Sequence, residues 1–172
     1  MRLVKARRED FDTIYAEMEK NFILDERRDK EDAEKLFDKS EYLIYRAEKG
    51  GENVGFVSVW DLGDFAFIEH FVTYEAHRNK GYGSEVLKKL KENYKTLVLE
   101  AEPPKVDMQK RRIAFYERNG FCQNPQKYIQ PSYRRNGHGI ELVLMSFPSK
   151  LCNFESAVQK IYSIAYETGE EI

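Results

Sequence analysis

The residues of this sequence best suited to holding an anion are Arg78-Asn79-Lys80-Gly81-Tyr82-Gly83-Ser84, which lie between a β-like apolar run and an amphipathic helical one. At such a junction successive amide N–H groups and the positive end of a helix dipole converge, and together they bind phosphate-like groups. Glycine helps at two positions because main chain lying against a phosphate leaves no room for a Cβ. Gly-x-Gly alone also marks an ordinary tight turn. Two competing phosphate loops are excluded by the neighbouring residues. A Walker loop needs Gly-Lys-Ser/Thr where this chain has Gly83-Ser84-Glu85, and a dinucleotide fingerprint needs glycine or alanine where Val86 stands. Cys122 and Cys152 form no Cys-x-x-Cys pair and have no His cluster nearby, which argues against a disulfide framework and against a metal site.

The elements that must position this loop follow from periodicity. A short strand at Leu3-Val4 precedes a first helix in which Phe11, Ile14, Tyr15, Met18 and Phe22 share a face, with Asp10 as N-cap. A second, charged helix is expected over residues 26–39. Two β-rich runs, 42–48 and 53–60, flank Lys49-Gly50-Gly51-Glu52 and predict a hairpin. Residues 65–73 read as a central strand. Beyond the glycines, Val86, Leu87, Leu90 and Tyr94 make the apolar stripe of a helix, residues 96–101 a short strand, and residues 108–118 a helix stopped by Asn119-Gly120. A hairpin over residues 128–147, turning at Asn136-Gly137, and a helix with Phe154, Val158, Ile161, Tyr162 and Ala165 on one face complete the series. This order predicts an α/β fold of the mixed α+β kind, with one sheet and flanking helices.

Composition narrows the partners. The 172 residues and 41% apolar content suit one domain, 1–172, with a core over about 2–147 and a C-terminal helix at about 150–167. The 28 basic and 30 acidic residues nearly cancel to a formal charge of -2, so no broad cationic field for nucleic acid exists. Met1-Arg2-Leu3-Val4-Lys5 opens without an apolar stretch of signal length, and no later stretch approaches the roughly 20 apolar residues of a membrane span. The expectation is a cytoplasmic protein, monomeric or homodimeric, with no membrane partner.

The loop resembles the pyrophosphate loop of the GNAT superfamily, Arg/Gln-x-x-Gly-x-Gly/Ala, with Arg78, Gly81 and Gly83 at its defined positions. Residues 68–73 resemble that family's central strand, and Ile113 to Phe121 resemble its helix ending in Tyr-x-x-x-Gly-Phe. The resemblance covers residues 2–147, most closely 67–121. It implies a single central, mixed but mostly antiparallel sheet and acetyl-CoA as acyl donor, with no metal. Phe71, Val72 and Thr73 would meet the pantetheine through main chain, and Arg78, Asn79, Lys80, Gly81, Tyr82, Gly83 and Ser84 would surround the pyrophosphate. Gln109 stands where many members carry an asparagine near the cofactor.

Acyl transfer from a thioester to an amine needs a deprotonated amine, a polarised carbonyl and a proton for the departing thiolate. An alkylammonium has a pKa of about 10.4, so a base helps near neutrality. By resemblance Tyr116 is the thiolate's proton donor, with packing beside Phe115 as the alternative. Glu69 is the base by the same resemblance. It alternates with Phe67 and Phe71 on one strand face, so desolvation is expected to raise its pKa; pairing with a nearby arginine or lysine is the alternative. His70, Glu100 and Glu102 are reserves. The amine acceptor would enter where the central strand and the next strand splay, a further implication of the family; Tyr128, Tyr133, Arg134 and Arg135, on the final hairpin and its approach, are candidates for its mouth, with a solvated tyrosine-rich loop as the alternative. A non-catalytic acyl-CoA sensor would bind CoA without acceptor-dependent thiol release, and a plain structural domain would not bind it at all.

Overall fold

The computed structural model describes residues 1–134 and 137–168. In chain order the elements are β1 (Arg2–Lys5), α1 (Phe11–Asn21), α2 (Lys30–Lys35), β2 (Tyr42–Lys49), β3 (Glu52–Asp61), β4 (Ala66–Thr73), α3 (Tyr82–Asn93), β5 (Leu97–Ala101), α4 (Asp107–Arg118), β6 (Cys122–Gln123), β7 (Tyr128–Gln130), β8 (Ile140–Phe147) and α5 (Phe154–Lys160). The strand order is β1-β2-β3-β4-β5-β8-β6, with β7 on β8, and helices flank this eight-stranded sheet. The β1–β2, β2–β3, β5–β8, β6–β8 and β7–β8 pairings are antiparallel, in accord with the expected mixed α/β class. No helix among the described residues is long and apolar enough to cross a membrane. Contacts group the chain into two compact units: Met1–Asp61 with Ile68–Asn93, and Leu62–Phe67 with the chain from Tyr94 onward.

In the first unit β2 and β3 form the expected hairpin. Gly50 and Gly51, at φ 62° and 85°, supply the left-handed pair that a two-residue turn requires. Buried Ile44, Phe56, Val57 and Val59 line the strands, and Val86, Leu87 and Leu90 carry the buried stripe of α3. Each such side chain contributes roughly 1.5–3 kcal/mol through its apolar area. Gly55 fixes how closely β3 lies to the end of β4: a Cβ there would sit 2.2 Å from the Val72 carbonyl oxygen.

Two expectations for this unit need correction. Asp10 is not a side-chain cap of α1; its carboxylate accepts the Arg7 amide at 2.8 Å and closes a 3-10 turn over Arg8–Asp10 instead. The helix expected over 26–39 is broken into a 3-10 turn (Leu24–Glu26), α2 and a second 3-10 turn (Leu36–Asp38). Arg27 is extended at φ -147°, and it and Arg28 turn their guanidinium groups onto Tyr15 and Glu69, so tertiary polar contacts override the helical pattern.

In the second unit β5 pairs with β8 from Leu97↔Phe147 to Ala101↔Val143, and β7 pairs Tyr128↔Leu142 through Gln130↔Ile140. The expected turn at Asn136-Gly137 falls beyond the Gln130↔Ile140 pair, and Asn136 lies outside the described residues. The short β6 has no alternating pattern to announce it. It is held by Asn124, whose side chain donates to the Leu144 carbonyl and Ser146 Oγ and accepts the Leu151 amide. Asn153 caps α5 by accepting the Ser156 amide at 3.1 Å, and the helix continues as a π-turn over Ile161–Ala165. Ile161 and Ala165 are fully buried, so the C-terminal helix covers the core of its own unit.

Candidate active site

The phosphate loop takes the geometry that its glycines suggest. Strand β4 ends at Thr73, a 3-10 turn covers Glu75–His77, and α3 starts at Tyr82, one residue after Gly81 rather than beyond Gly83. Asn79 and Gly81 both have positive φ, 61° and 78°, which turns successive amides to one side of the chain. The Gly81 carbonyl accepts from the Ser84 and Glu85 amides at 3.1 and 3.3 Å and so closes the first helical turn. The amides of Asn79, Lys80, Gly81, Tyr82 and Gly83 have no hydrogen-bond partner among the described residues. A run of open donors at the positive end of a twelve-residue helix can hold an anionic group.

The side chains around the loop brace it. Arg78 donates through Nε to the Thr73 carbonyl at 3.2 Å and through Nη2 to Asn21 Oδ1 at 2.7 Å, tying the loop to the end of β4 and the end of α1. Lys80 Nζ folds back on the Ala76 carbonyl at 2.9 Å. Of the three strand residues expected to meet the pantetheine, Val72 is buried while Phe71 and Thr73 are partly exposed.

Glu69 sits in a buried polar network of the same unit. Its side chain is 1% exposed, Arg28 Nη1 donates to Oε1 at 2.5 Å, and His70 Nδ1 lies 3.4 Å from Oε2. Burial by itself would raise the carboxyl pKa. The Arg28 charge, with the hydrogen bonds from His70 and Arg28, more than reverses this and holds Glu69 well below the usual carboxylate range. The direction is opposite to the expected one, and the alternative, a buried carboxylate paired with an arginine, is what the chain adopts. His70 is committed as well: its amide donates to Ser58 Oγ at 3.0 Å, Nε2 lies 3.1 Å from the Glu26 carbonyl, and its ring packs 4.7 Å from that of Phe22. Arg28 and Ser58 were not visible as partners in the sequence, because no short spacing links residues 28, 58 and 69.

Tyr116 belongs to the second unit, on α4. It is buried at 8% exposure, its ring lies 5.2 Å from Phe115 and 5.8 Å from Phe121, and its hydroxyl has no hydrogen-bond partner among the described residues. Burial pushes its pKa up to about 12, with only a small opposing pull from Arg112. At neutral pH it is a protonated phenol and a donor. Gln109 caps the start of α4, since its Oε1 accepts the Lys105 and Val106 amides at 2.9 and 3.0 Å and its Nε2 donates to Glu102. Glu102 also pairs with Arg112 at 2.8 Å.

Glu100, a reserve by sequence, lies among tyrosines. Tyr128 donates to Oε1, and the Tyr166 hydroxyl lies 3.0 and 2.8 Å from the two carboxylate oxygens. Tyr133, 3.5 Å from Tyr166 through the hydroxyls, extends the cluster, and Tyr162 donates to the Ile129 carbonyl. Of the expected acceptor-mouth residues, Tyr128 is buried and Tyr133 joins this cluster, Arg134 donates its amide to Ser132 Oγ at 3.0 Å, and Arg135 lies outside the described residues.

The Acetyltransferase (GNAT) family matches residues 7–121. Among curated proteins, "Putative acetyltransferase YjbC" of Bacillus subtilis (strain 168) is 28% identical over 109 residues. That match covers 62% of this chain and 55% of the relative, so the chain spans about half of the relative's length. Among solved structures, a "Putative acetyltransferase from GNAT family" from Bacteroides thetaiotaomicron superposes with a TM-score of 0.92 at 29% identity, over 98% of this chain and 100% of that one. The Salmonella typhimurium protein yncA, solved with its cofactor acetyl-CoA, shares the fold at a TM-score of 0.58 and 18% identity, over 89% and 96% of the two chains.

Proposed function

The chain belongs to the GNAT acetyltransferase family, and from that premise we propose that it transfers the acetyl group of acetyl-CoA to a primary amine by direct attack while both substrates are bound. The observation that carries this is the open row of amides from Asn79 to Gly83, with positive φ at Asn79 and Gly81 and α3 behind it. Acetyl-CoA is the donor substrate whose diphosphate suits that row. The neighbour solved with acetyl-CoA supports this donor.

In this account Phe71, Val72 and Thr73 present main chain to the pantetheine arm, and Arg78 acts by bracing the loop. Holding donor and acceptor adjacent supplies much of the acceleration. Tyr116 gives the departing thiolate a hydrogen bond and a proton, a role favoured by a buried phenol that is protonated at neutral pH. Gln109 shapes the start of α4. The chain acts as one catalytic domain, in the cytoplasm, as a monomer or a homodimer.

The test is acceptor-dependent release of free thiol. With acetyl-CoA and a panel of primary amines, thiol should appear in proportion to amine turnover and stop when amine is withheld. Saturable CoA binding with no amine-dependent thiol would favour a non-catalytic acyl-CoA sensor instead.

A further inference from the structure

We propose that Arg28, Glu69, His70 and Ser58 form a clamp on β4 that fixes the main chain offered to the donor's pantetheine arm, so that Arg28, Glu69 and Ser58 are positioning residues for the acyl donor. The inference rests on the transferase reading, in which Phe71 to Thr73 meet that arm, and adds to it the side chains that set the strand's place.

What β4 shows to solvent at the clamp is main chain. Glu69 as a residue is partly exposed although its side chain is 1% exposed, so the surface it presents belongs to the backbone. Phe71 and Thr73, which follow on the same strand, are partly exposed as well. Open peptide groups along a strand can bond the amides of an extended ligand, and they do so only in the direction that the strand holds. A strand left about 1 Å loose misaligns those bonds.

The clamp closes on Glu69 and His70 from two elements. From the segment before α2, Arg28 Nη1 donates to Glu69 Oε1 at 2.5 Å and the Glu26 carbonyl lies 3.1 Å from His70 Nε2. From β3, Ser58 Oγ accepts the His70 amide at 3.0 Å and lies 3.3 Å from Nδ1. The segment is anchored in turn: the Tyr15 hydroxyl donates to the Arg28 carbonyl at 3.0 Å, and Arg27 donates to that hydroxyl at 2.6 Å and to the Phe22 carbonyl at 3.3 Å. Ser58 and His70 are 0% and 4% exposed, so water does not replace a bond lost there. All of these residues belong to the first unit, as does the phosphate loop.

Stability does not require charge at this place, because an apolar pair of similar volume is often as stable as a buried ion pair. A fully bonded polar network adds one fixed geometry. Here that geometry is imposed on the two residues immediately before Phe71.

Calorimetric titrations with coenzyme A and with 3′-phospho-ADP, which keeps the diphosphate and lacks the pantetheine arm, are compared on wild type and on the double variant Arg28→Met, Glu69→Leu, with folding checked by thermal melt. The expected result is an affinity for coenzyme A about tenfold lower in the variant and an affinity for 3′-phospho-ADP within about twofold of wild type. Glu69→Gln, which keeps an oxygen for Arg28, should bind coenzyme A with an affinity between those of wild type and the double variant. General loosening of the fold weakens both ligands alike, so equal losses, or no loss with coenzyme A, would overturn the proposal and leave the transferase reading intact. Should the double variant not fold, Ser58→Ala takes its place and the same two titrations decide. A wild type that binds neither ligand would overturn both.

Discussion

The amide of Phe121 donates to the carbonyl of Tyr116 at 3.0 Å, and the two rings lie 5.8 Å apart. With the Gly120 amide on the Glu117 carbonyl at 2.8 Å and Gly120 at φ 80°, this is a Schellman cap in which the tyrosine and the phenylalanine make the accompanying apolar contact. The sequence Tyr-x-x-x-Gly-Phe is therefore a helix-ending device. It locks the last turn of α4 and with it the placement of Tyr116.

Removing only the Tyr116 hydroxyl should separate chemistry from packing. Tyr116→Phe is expected to lower kcat by roughly 10²-fold or more while CoA affinity, followed by calorimetry, stays within twofold. Because the phenol in the folded chain titrates at about 12, deprotonation of Tyr116 should not limit the rate below about pH 11. The folded pKa is above the unfolded value near 10, so the stability linked to this group is intact below pH 10 and is lost as pH rises through 12. An unchanged kcat would remove Tyr116 from the mechanism.

Arg28 and Glu69 should behave as one structural pair. Arg28→Ala leaves a buried carboxylate without its guanidinium and should destabilise the fold by about 3 kcal/mol, whereas the double variant Arg28→Met, Glu69→Leu should recover much of that loss. The Glu69 pKa is lowered in the folded chain, so its linked stability is present above the ordinary glutamate value of about 4.3 and falls as the solution is acidified below it. Thermal melts from pH 7 to 3 on wild type and Glu69→Gln check the sign: the acid-induced loss should be smaller in the variant.

Gly55 tests the seating of β3 against the end of β4. Any Cβ there meets the Val72 carbonyl oxygen at 2.2 Å, well inside contact distance, so Gly55→Ala should cost about 1–3 kcal/mol in a denaturant melt. At Gly81 no atom lies within 4 Å of the added carbon, and the cost there is conformational, about 1 kcal/mol from φ 78°. Gly81→Ala should therefore melt closer to wild type than Gly55→Ala does.

Much of this arrangement is legible in the sequence because it is local. Gly50-Gly51, the stripe Val86-Leu87-Leu90 and Asn119-Gly120 each encode a turn, a helix face or a stop within a few residues, and all three form as expected. What sequence misses is the long-range polar pairing. Arg28 reaches Glu69 across 41 positions and Tyr166 reaches Glu100 across 66, and neither contact has a spacing that composition or periodicity could reveal. The pairing with Arg28 turns the Glu69 pKa shift opposite to the rise that burial alone predicts. Gln109 shows the same effect locally, since the three-residue reach back to Val106 makes it a helix cap.

The central claim is that the amides from Asn79 to Gly83 grip the diphosphate of coenzyme A, and calorimetric titration of the folded chain tests it most directly. Coenzyme A should bind saturably, and pantetheine, which lacks the diphosphate, at least 100-fold more weakly, a difference of about 2.7 kcal/mol. No saturation with coenzyme A up to millimolar concentration, or equal affinity for the two ligands, would contradict the account.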